Sequence, residues 1–475
     1  MNKLKLFLEN FIIYGFGGII SKIIPVIMIP IVTRIMPSSE YYGISDLSNT
    51  LVQFTSAIAV MGMYDGMFRM FFEKQDEDFK KRVCSTALSF TMVTSLIVFI
   101  AMLLLRKVIA QWFFGNQHYA YVVYLSAMAT LVGGTNSIIA APTRMQNNRR
   151  LFLVMNTISP VLSYSISIPM LLAGHYVIAL PLAGVLSGII MEISFGIANR
   201  TWFNLKLFDK TLLKSMLVIA IPLLPNFLIY WIFNSSDRVM ITNMIGINAA
   251  GIYSVGSKLG HVSQLIYTAF AGGWQYFAFS TMKEKNQVRT NSIIFEYLGI
   301  ISFVATGFIC AWSYSIFRVL FTEEYISGYI IVPYLFLAPL LQMLFQVAAN
   351  QFLVVRKTWP NLFILSTGAL LNIAINFCLI PVLGIEGAAI ATLIGYTVSD
   401  VICVIVLKKM KLMVISKKFL VSASFLVIYI LLWRFLFKER VILGTIAVIL
   451  YITFILFMYR NDGKRLFLKI KNMNL

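Results

Sequence analysis

The sequence predicts an all-α polytopic membrane protein of about fourteen transmembrane helices, with two six-helix lobes related as parallel repeats, a C-terminal helical pair added to them, and both termini cytoplasmic. Three observations carry this expectation. Apolar residues make up 59% of the 475-residue chain and charged residues only 12%, whereas a soluble domain averages about half and about a quarter. Apolar stretches of about twenty residues, enough to cross a hydrocarbon core of about 30 Å, recur from end to end. Short patterns in the first half also return, in order, in the second.

The apolar stretches fall at 10–36, 43–72, 83–105, 119–142, 151–173, 176–198, 211–235, 249–281, 292–318, 328–355, 361–380, 386–407, 418–436 and 441–459. The first runs past residue 30 with no small-residue cleavage site behind Lys3 and Lys5, so it reads as a span rather than a removable signal peptide. The second and eighth exceed the core thickness, and tilt or extension beyond the bilayer is expected of them.

Lys and Arg set the orientation. Of 39 such residues, 28 lie on the N-terminal side of the membrane or within a turn of a span edge there. Eight lie opposite (Arg34, Arg106, Lys107, Arg238, Arg318, Arg434, Lys438 and Arg440), and Lys22, Arg69 and Lys258 fall inside spans. The positive-inside rule then places both termini in the cytoplasm. The formal charge of +20 is mostly this topological signal plus attraction to anionic lipid, and no nucleic-acid role is expected. Cys84, Cys310, Cys378 and Cys403 form no close pair in sequence, so neither a disulfide nor a metal site is expected. No Gly-rich loop ends in Gly-Lys-Ser/Thr, which removes the common nucleotide motif. No cofactor is expected, and the outer loops, the longest roughly 106–118, are too short to carry a soluble domain.

The repeat follows. Residues 40–51 read EYYGISDLSNTL and 248–259 read NAAGIYSVGSKL, so Gly43-Ile44 aligns with Gly251-Ile252 and Leu51 with Leu259 at an offset of 208. QNNRRLF (146–152) and LVVRKTW (353–359) precede spans 5 and 11, and Pro169 and Gly174 have counterparts in Pro381 and Gly384. The expected organisation is an N-lobe at 1–208, a C-lobe at 209–412, and a helical pair with a basic tail at 413–475. Because six is even, the two copies keep one orientation, a parallel repeat of the kind found in some transporters. The small residues of INFCLIPVLGIEGAAIATLIGY (375–396) let helices approach closely and read as packing rather than as a ligand site.

IPLLPNFLIYWIFNSSDRVMI (221–241), AAGIYSVGSKL (249–259), YYGISDLSNTL (41–51) and LIPVLGIEGAAIATLIGY (379–396) together resemble the polysaccharide-exporter branch of the multidrug/oligosaccharidyl-lipid/polysaccharide exporter superfamily. Its members are bacterial flippases for lipid-linked O-antigen, capsule or exopolysaccharide repeat units, and the resemblance covers nearly the whole chain. It implies two six-helix lobes around a central cavity that work by alternating access, with helices 1, 2, 7 and 8 lining the cavity. It also implies an undecaprenyl-diphosphate-linked oligosaccharide as substrate, a bacterial cytoplasmic (inner) membrane, and polysaccharide polymerase and chain-length machinery as partners beside membrane lipids. The chain is expected not to be an enzyme. A lipid II flippase or a multidrug exporter of the same superfamily are the alternatives. A membrane polymerase or ligase is disfavoured by the short outer loops.

Ionisable residues within spans are costly unless they face water, a partner or a ligand. Lys22 lies about twelve residues into span 1 and Lys258 about nine into span 8, roughly 18 Å from the inner edge and 14 Å from the outer one at 1.5 Å per residue. The two depths nearly coincide. With His261 on the same helix face as Lys258, they are candidates to hold the diphosphate implied by the resemblance; the competing role for each lysine is to neutralise a carboxylate. Arg34 and Arg69 are further substrate candidates, although Arg34 can snorkel and Arg69 sits one turn after Asp65, where an internal ion pair is expected. Asp237 and Arg238 are expected to be structural or gate-forming. Pro25 and Pro30 in span 1, and Pro222 and Pro225 in span 7, mark bending points suited to gating. Glu192, Glu296 and Asp400 are lone membrane carboxylates, each a candidate to carry a coupling ion or to bond a neighbouring helix.

The topology makes a direct prediction. With single cysteines introduced on a cysteine-free background, position 148 is labelled from the cytoplasmic side and position 175 from outside; the reverse pattern would invert the assignment.

Overall fold

The computed structural model describes residues 23–282, 284, 286–355, 357 and 359–473. Among them every regular element is helical, as a chain facing lipid requires, because a helix satisfies its own backbone. Contacts divide the chain into two compact units. One holds the described residues up to Val255 together with Asn372–Ala388; the other holds Gly256–Leu371 and the chain from Ala389 onward.

The first unit contains α1 (Ile23–Ile35), α2 (Ser39–Val60), α3 (Met63–Phe71), α4 (Glu77–Leu104), α5 (Arg106–Phe114), α6 (Ala120–Ile139), α7 (Ala141–Met145), α8 (Arg149–Leu172), α9 (Ala179–Ala198), α10 (Lys210–Ala220), α11 (Leu224–Ile245) and the start of α12 (Ile247–Gly260). The second contains the end of α12, then α13 (Gln264–Ser280), α14 (Gln287–Leu320), α15 (Glu323–Ile326), α16 (Val332–Val354), and parts of α17 (Trp359–Leu383) and α18 (Ile385–Lys409). It closes with α19 (Lys417–Leu432) and α20 (Val441–Met473). Polar residues start these helices by taking up their first free N–H groups. Asp76 accepts from the Phe79 amide at 2.9 Å and Ser416 from the Phe419 amide at 3.1 Å.

Eleven helices among the described residues are long and apolar enough to cross a membrane. Of the other expected spans, the first is described only over Ile23–Ile35, and the second and eighth are helices interrupted midway. Their excess length is absorbed by breaks. Met61 and Gly62, both with left-handed φ (51° and 71°), separate α2 from α3. A 3₁₀ turn at His261–Ser263 separates α12 from α13. In span 7 a 3₁₀ turn at Ile221–Leu223, carrying Pro222 and followed by Pro225, separates α10 from α11. Proline can neither donate to the preceding turn nor clear its carbonyl, so the helix tightens there into a single 3₁₀ turn between two α segments.

Within the first unit α2 and α3 run along α10, α11 and the start of α12. A Cβ at Gly62 would lie 2.6 Å from the Ala220 carbonyl oxygen, and one at Gly66 2.8 Å from that of Met216, so the break in span 2 docks on the break in span 7. At the other end a Cβ at Gly43 would lie 2.7 Å from the Ile247 carbonyl oxygen and 3.0 Å from the Gly251 nitrogen. Hydroxyl pairs join α2 to α6, Ser48 with Ser126 at 2.8 Å and Thr55 with Thr130 at 2.7 Å; such short polar side chains link helices where apolar contact gives no net driving force. In the second unit α16 is buried nearly all round; α12 seats on it through Gly260 and on the preceding 3₁₀ turn (Ser327–Ile331) through Gly256, whose added Cβ atoms would each meet a neighbour at 2.7 Å.

Gly251→Val tests the backbone contact at α2. Its side chain would run into the Ser39 carbonyl, and because the obstacle is backbone the helices must separate, at a cost of about 3 kcal/mol or more. The expected result is a lowered melting temperature in detergent and poor recovery of folded protein; wild-type stability would refute the close approach.

Candidate functional site

The densest buried polar cluster of the first unit lies where α2, α11 and α12 meet. Asp46 is the eighth residue of α2, and Arg238 lies two turns before the end of α11. Tyr253 and Ser254 lie at the middle of α12. The Arg238 Nε donates to Asp46 Oδ2 at 2.5 Å and Ser254 Oγ donates to the same oxygen at 2.7 Å. One guanidinium nitrogen of Arg238 donates to the Asn234 carbonyl, and the guanidinium carbon stands 5.8 Å from the Tyr253 ring centroid. The Tyr253 hydroxyl donates to Asp237. Asp46 is 6% exposed, Arg238 9% and Asp237 2%. Just beyond, Trp231 of α11 donates through Nε1 to the Thr50 carbonyl at 3.1 Å and packs on Phe54.

The lining is apolar. Ile44, Leu47 and Leu51 of α2 are fully buried with Phe114, Val122 and Val123. There the pair is either made or solvated, because taking away one partner leaves a buried charge uncompensated, at a cost of about 3–5 kcal/mol. The chemistry is therefore that of a latch. It holds three helices together while dry.

Asp237 and Arg238 are thus brought together with Asp46, Tyr253 and Ser254, three residues that sequence reasoning did not single out. A signal for them existed. Asp46 stands three residues after Gly43, and Ser254 three after Gly251, so the two are equivalent under the 208-residue offset. The structure places these equivalents against each other.

The other expected residues are spread more widely. Lys22 lies outside the described residues. Arg34 is exposed on the last turn of α1, which also carries Pro25 and Pro30. Asp65 and Arg69 share a face of α3, but the ion pair expected between them is absent: Arg69 is exposed and the two make no salt bridge. Lys258 sits in the last turn of α12 and His261 opens the following 3₁₀ turn. At 100° per residue both point away from the Gly256–Gly260 face that packs on α16 and the turn before it. The His261 ring bonds back to the Ser257 carbonyl through Nδ1 at 2.7 Å. Glu192 accepts from Thr135 Oγ1 at 2.6 Å, Glu296 caps the start of α19 through Ser416, and Asp400 is buried on α18.

Comparison with known proteins follows the fold. A family model described as polysaccharide biosynthesis protein matches residues 31–330. No curated protein sequence matches the chain. Among solved structures, a lipid II flippase MurJ in an inward closed conformation is similar over 96% of this chain and 99% of its own, at 15% identity and a TM-score of 0.72. An inward-facing multidrug resistance MATE family transporter of the MOP superfamily covers 83% of this chain and 98% of its own, at 13% identity and a TM-score of 0.61. The MATE transporter VcmN of Vibrio cholerae covers 86% and 96%, at 12% identity and a TM-score of 0.56.

A double-mutant cycle tests the latch. Asp46→Ala or Arg238→Ala alone is expected to cost about 3–5 kcal/mol of stability, since each strands a buried charge. The double variant is expected to lose less than the sum. Additive losses would mean that the two side chains do not interact.

Proposed function

The chain belongs to the polysaccharide biosynthesis protein family, in the polysaccharide-exporter branch of the multidrug/oligosaccharidyl-lipid/polysaccharide exporter superfamily, and from that premise we propose that it flips an undecaprenyl-diphosphate-linked oligosaccharide repeat unit from the inner to the outer leaflet of a bacterial cytoplasmic membrane by alternating access. The membrane-spanning all-α fold is that of flippases and transporters. Substrate, direction and mechanism are our reading.

One observation carries it: the buried cluster of Asp46, Arg238, Ser254 and Tyr253. It ties α2 to α11 and α12, elements that the repeat assigns to different lobes, 1–208 and 209–412. It does so at the ends that the charge pattern puts outside. Equivalent positions touching each other, Gly43 with Gly251 and Asp46 with Ser254, are what a pseudo-two-fold axis between the lobes would produce. In this reading the latch closes the outer side while the headgroup enters from the cytoplasm.

The cycle then has a physical order. The prenyl tail stays in lipid, and the diphosphate meets Lys258 and His261 at the break between α12 and α13, with Lys22 as the second expected cation. Lysine suits a moving dianion because its ammonium is a rotatable point charge that imposes no fixed geometry. Opening outward requires water to reach Asp46 and Arg238, and binding of the headgroup offsets that cost. The breaks at Met61–Gly62, Pro222 and His261 let the outer half of each helix move without carrying the inner half. The product would then pass to polymerase and chain-length machinery.

The test is transport of a defined lipid-linked oligosaccharide by purified protein in liposomes, scored by an enzyme added outside that acts on exposed headgroups. The Lys22→Ala, Lys258→Ala double variant is expected to fold normally and to lose at least tenfold in rate, about 1.4 kcal/mol of headgroup interaction. Wild-type rates in that variant would remove the diphosphate role. Transport of lipid II or of cationic drugs in place of the oligosaccharide would assign the chain to another branch.

A further inference from the structure

Of the three lone membrane carboxylates Glu192, Glu296 and Asp400, two have settled partners, Glu192 through Thr135 and Glu296 through Ser416. Asp400 does not. It is 7% exposed, and neither of its oxygens has a hydrogen-bond partner among the described residues. It lines a cavity of about 330 Å³ in the second unit, walled by Phe295 and Phe303 of α14, Leu341 and Leu344 of α16, and Phe419 and Ala423 of α19. Every buried polar group needs a donor, an acceptor or a proton; the one hydroxyl in the lining, Thr397, is spent on the Leu393 carbonyl, and no protein donor reaches either Asp400 oxygen.

The surroundings narrow the ligand. The linings from α14, α16 and α19 contain no titratable side chain; α18 contributes Asp400 and Lys408, and buried Cys403 lies one turn from Asp400. No ring of oxygens is present to dehydrate a metal cation, which would need several. Lys408 stands eight residues along α18, about 12 Å, at the exposed basic end of the helix. The pocket therefore joins a dry carboxyl group to a wet, positively charged rim along one helix.

We propose that Asp400 is a proton-binding site. It holds a proton while the pocket is closed and dry, and gives it to water when α18 shifts against α14 and α19 and opens the path toward Lys408. Reclosure requires the carboxylate to recover a proton from the same rim, so opening and closing exchange one proton with the water on the Lys408 side. This rests on the flippase reading, in which that shift belongs to the transport cycle, and it makes the rate of the cycle depend on the pH of that side.

The experiment uses the full chain in liposomes, wild type against Asp400→Asn, which keeps the shape and stays neutral. Infrared difference spectra at neutral pH are expected to show the carbonyl stretch of a protonated carboxylic acid in the wild type that is missing from the variant. Carboxylate bands alone at that pH would overturn the proposal. Flipping of the lipid-linked oligosaccharide is then measured while the pH on the Lys408 side alone is varied. The wild type is expected to respond several-fold and Asp400→Asn not at all, with equal melting temperatures; an equal response in both would overturn the coupling. If the wild type moves no oligosaccharide, the flippase reading fails and the infrared spectra decide the proton site on their own.

Discussion

A guanidinium buried between membrane helices has to meet its counter-charge inside the protein, and the Asp46–Arg238 pair meets that requirement. The demand fixes the rotation of α11, since only one of its faces presents Arg238 to α2. It fixes the depth of α2 against α11 as well, because a carboxylate must arrive at the level of the guanidinium. The close backbone approach at Gly43 and Gly251 follows from that distance. A Cβ on either residue would hold the helices too far apart for a 2.5 Å bond to form.

The helix breaks belong to the same logic. Inside a bilayer an interrupted helix is tolerated where its freed backbone is buried in protein or lines a wet cavity. The interruption after α2 rests on the one before α11, through Gly62 and Ala220, and the interruption after α12 is followed by Ser263 donating to the Phe336 carbonyl at 2.7 Å. Each break is thus supported by a neighbour.

How much of this was legible in the sequence depends on range. The spans were, because hydropathy is a local property and a twenty-residue window contains it. Asp237 and Arg238 were noticed as charges just past the end of span 7, with no way to know that the counter-ion lies 192 residues earlier. The Asp65–Arg69 pair shows the opposite error: a one-turn spacing permits a salt bridge but does not compel one, and an arginine near a helix end is better served by water. The long spans 2 and 8 read as tilt because length alone is silent about interruption. Gly62 in span 2 and Gly260 in span 8 were the available signs. Asp400 was visible as a lone acid, whereas its want of a partner is a three-dimensional fact.

The seam at Asp46 also dictates which residue can face it. A second carboxylate at hydrogen-bond distance would repel the first and could stay there only by holding a proton. Ser254 instead donates to Asp46 at 2.7 Å, and one short side chain can do so because Gly43 and Gly251 let the two backbones touch. Replacing Ser254 by a longer or acidic residue would therefore act as a wedge, prising apart a joint that glycine had made tight.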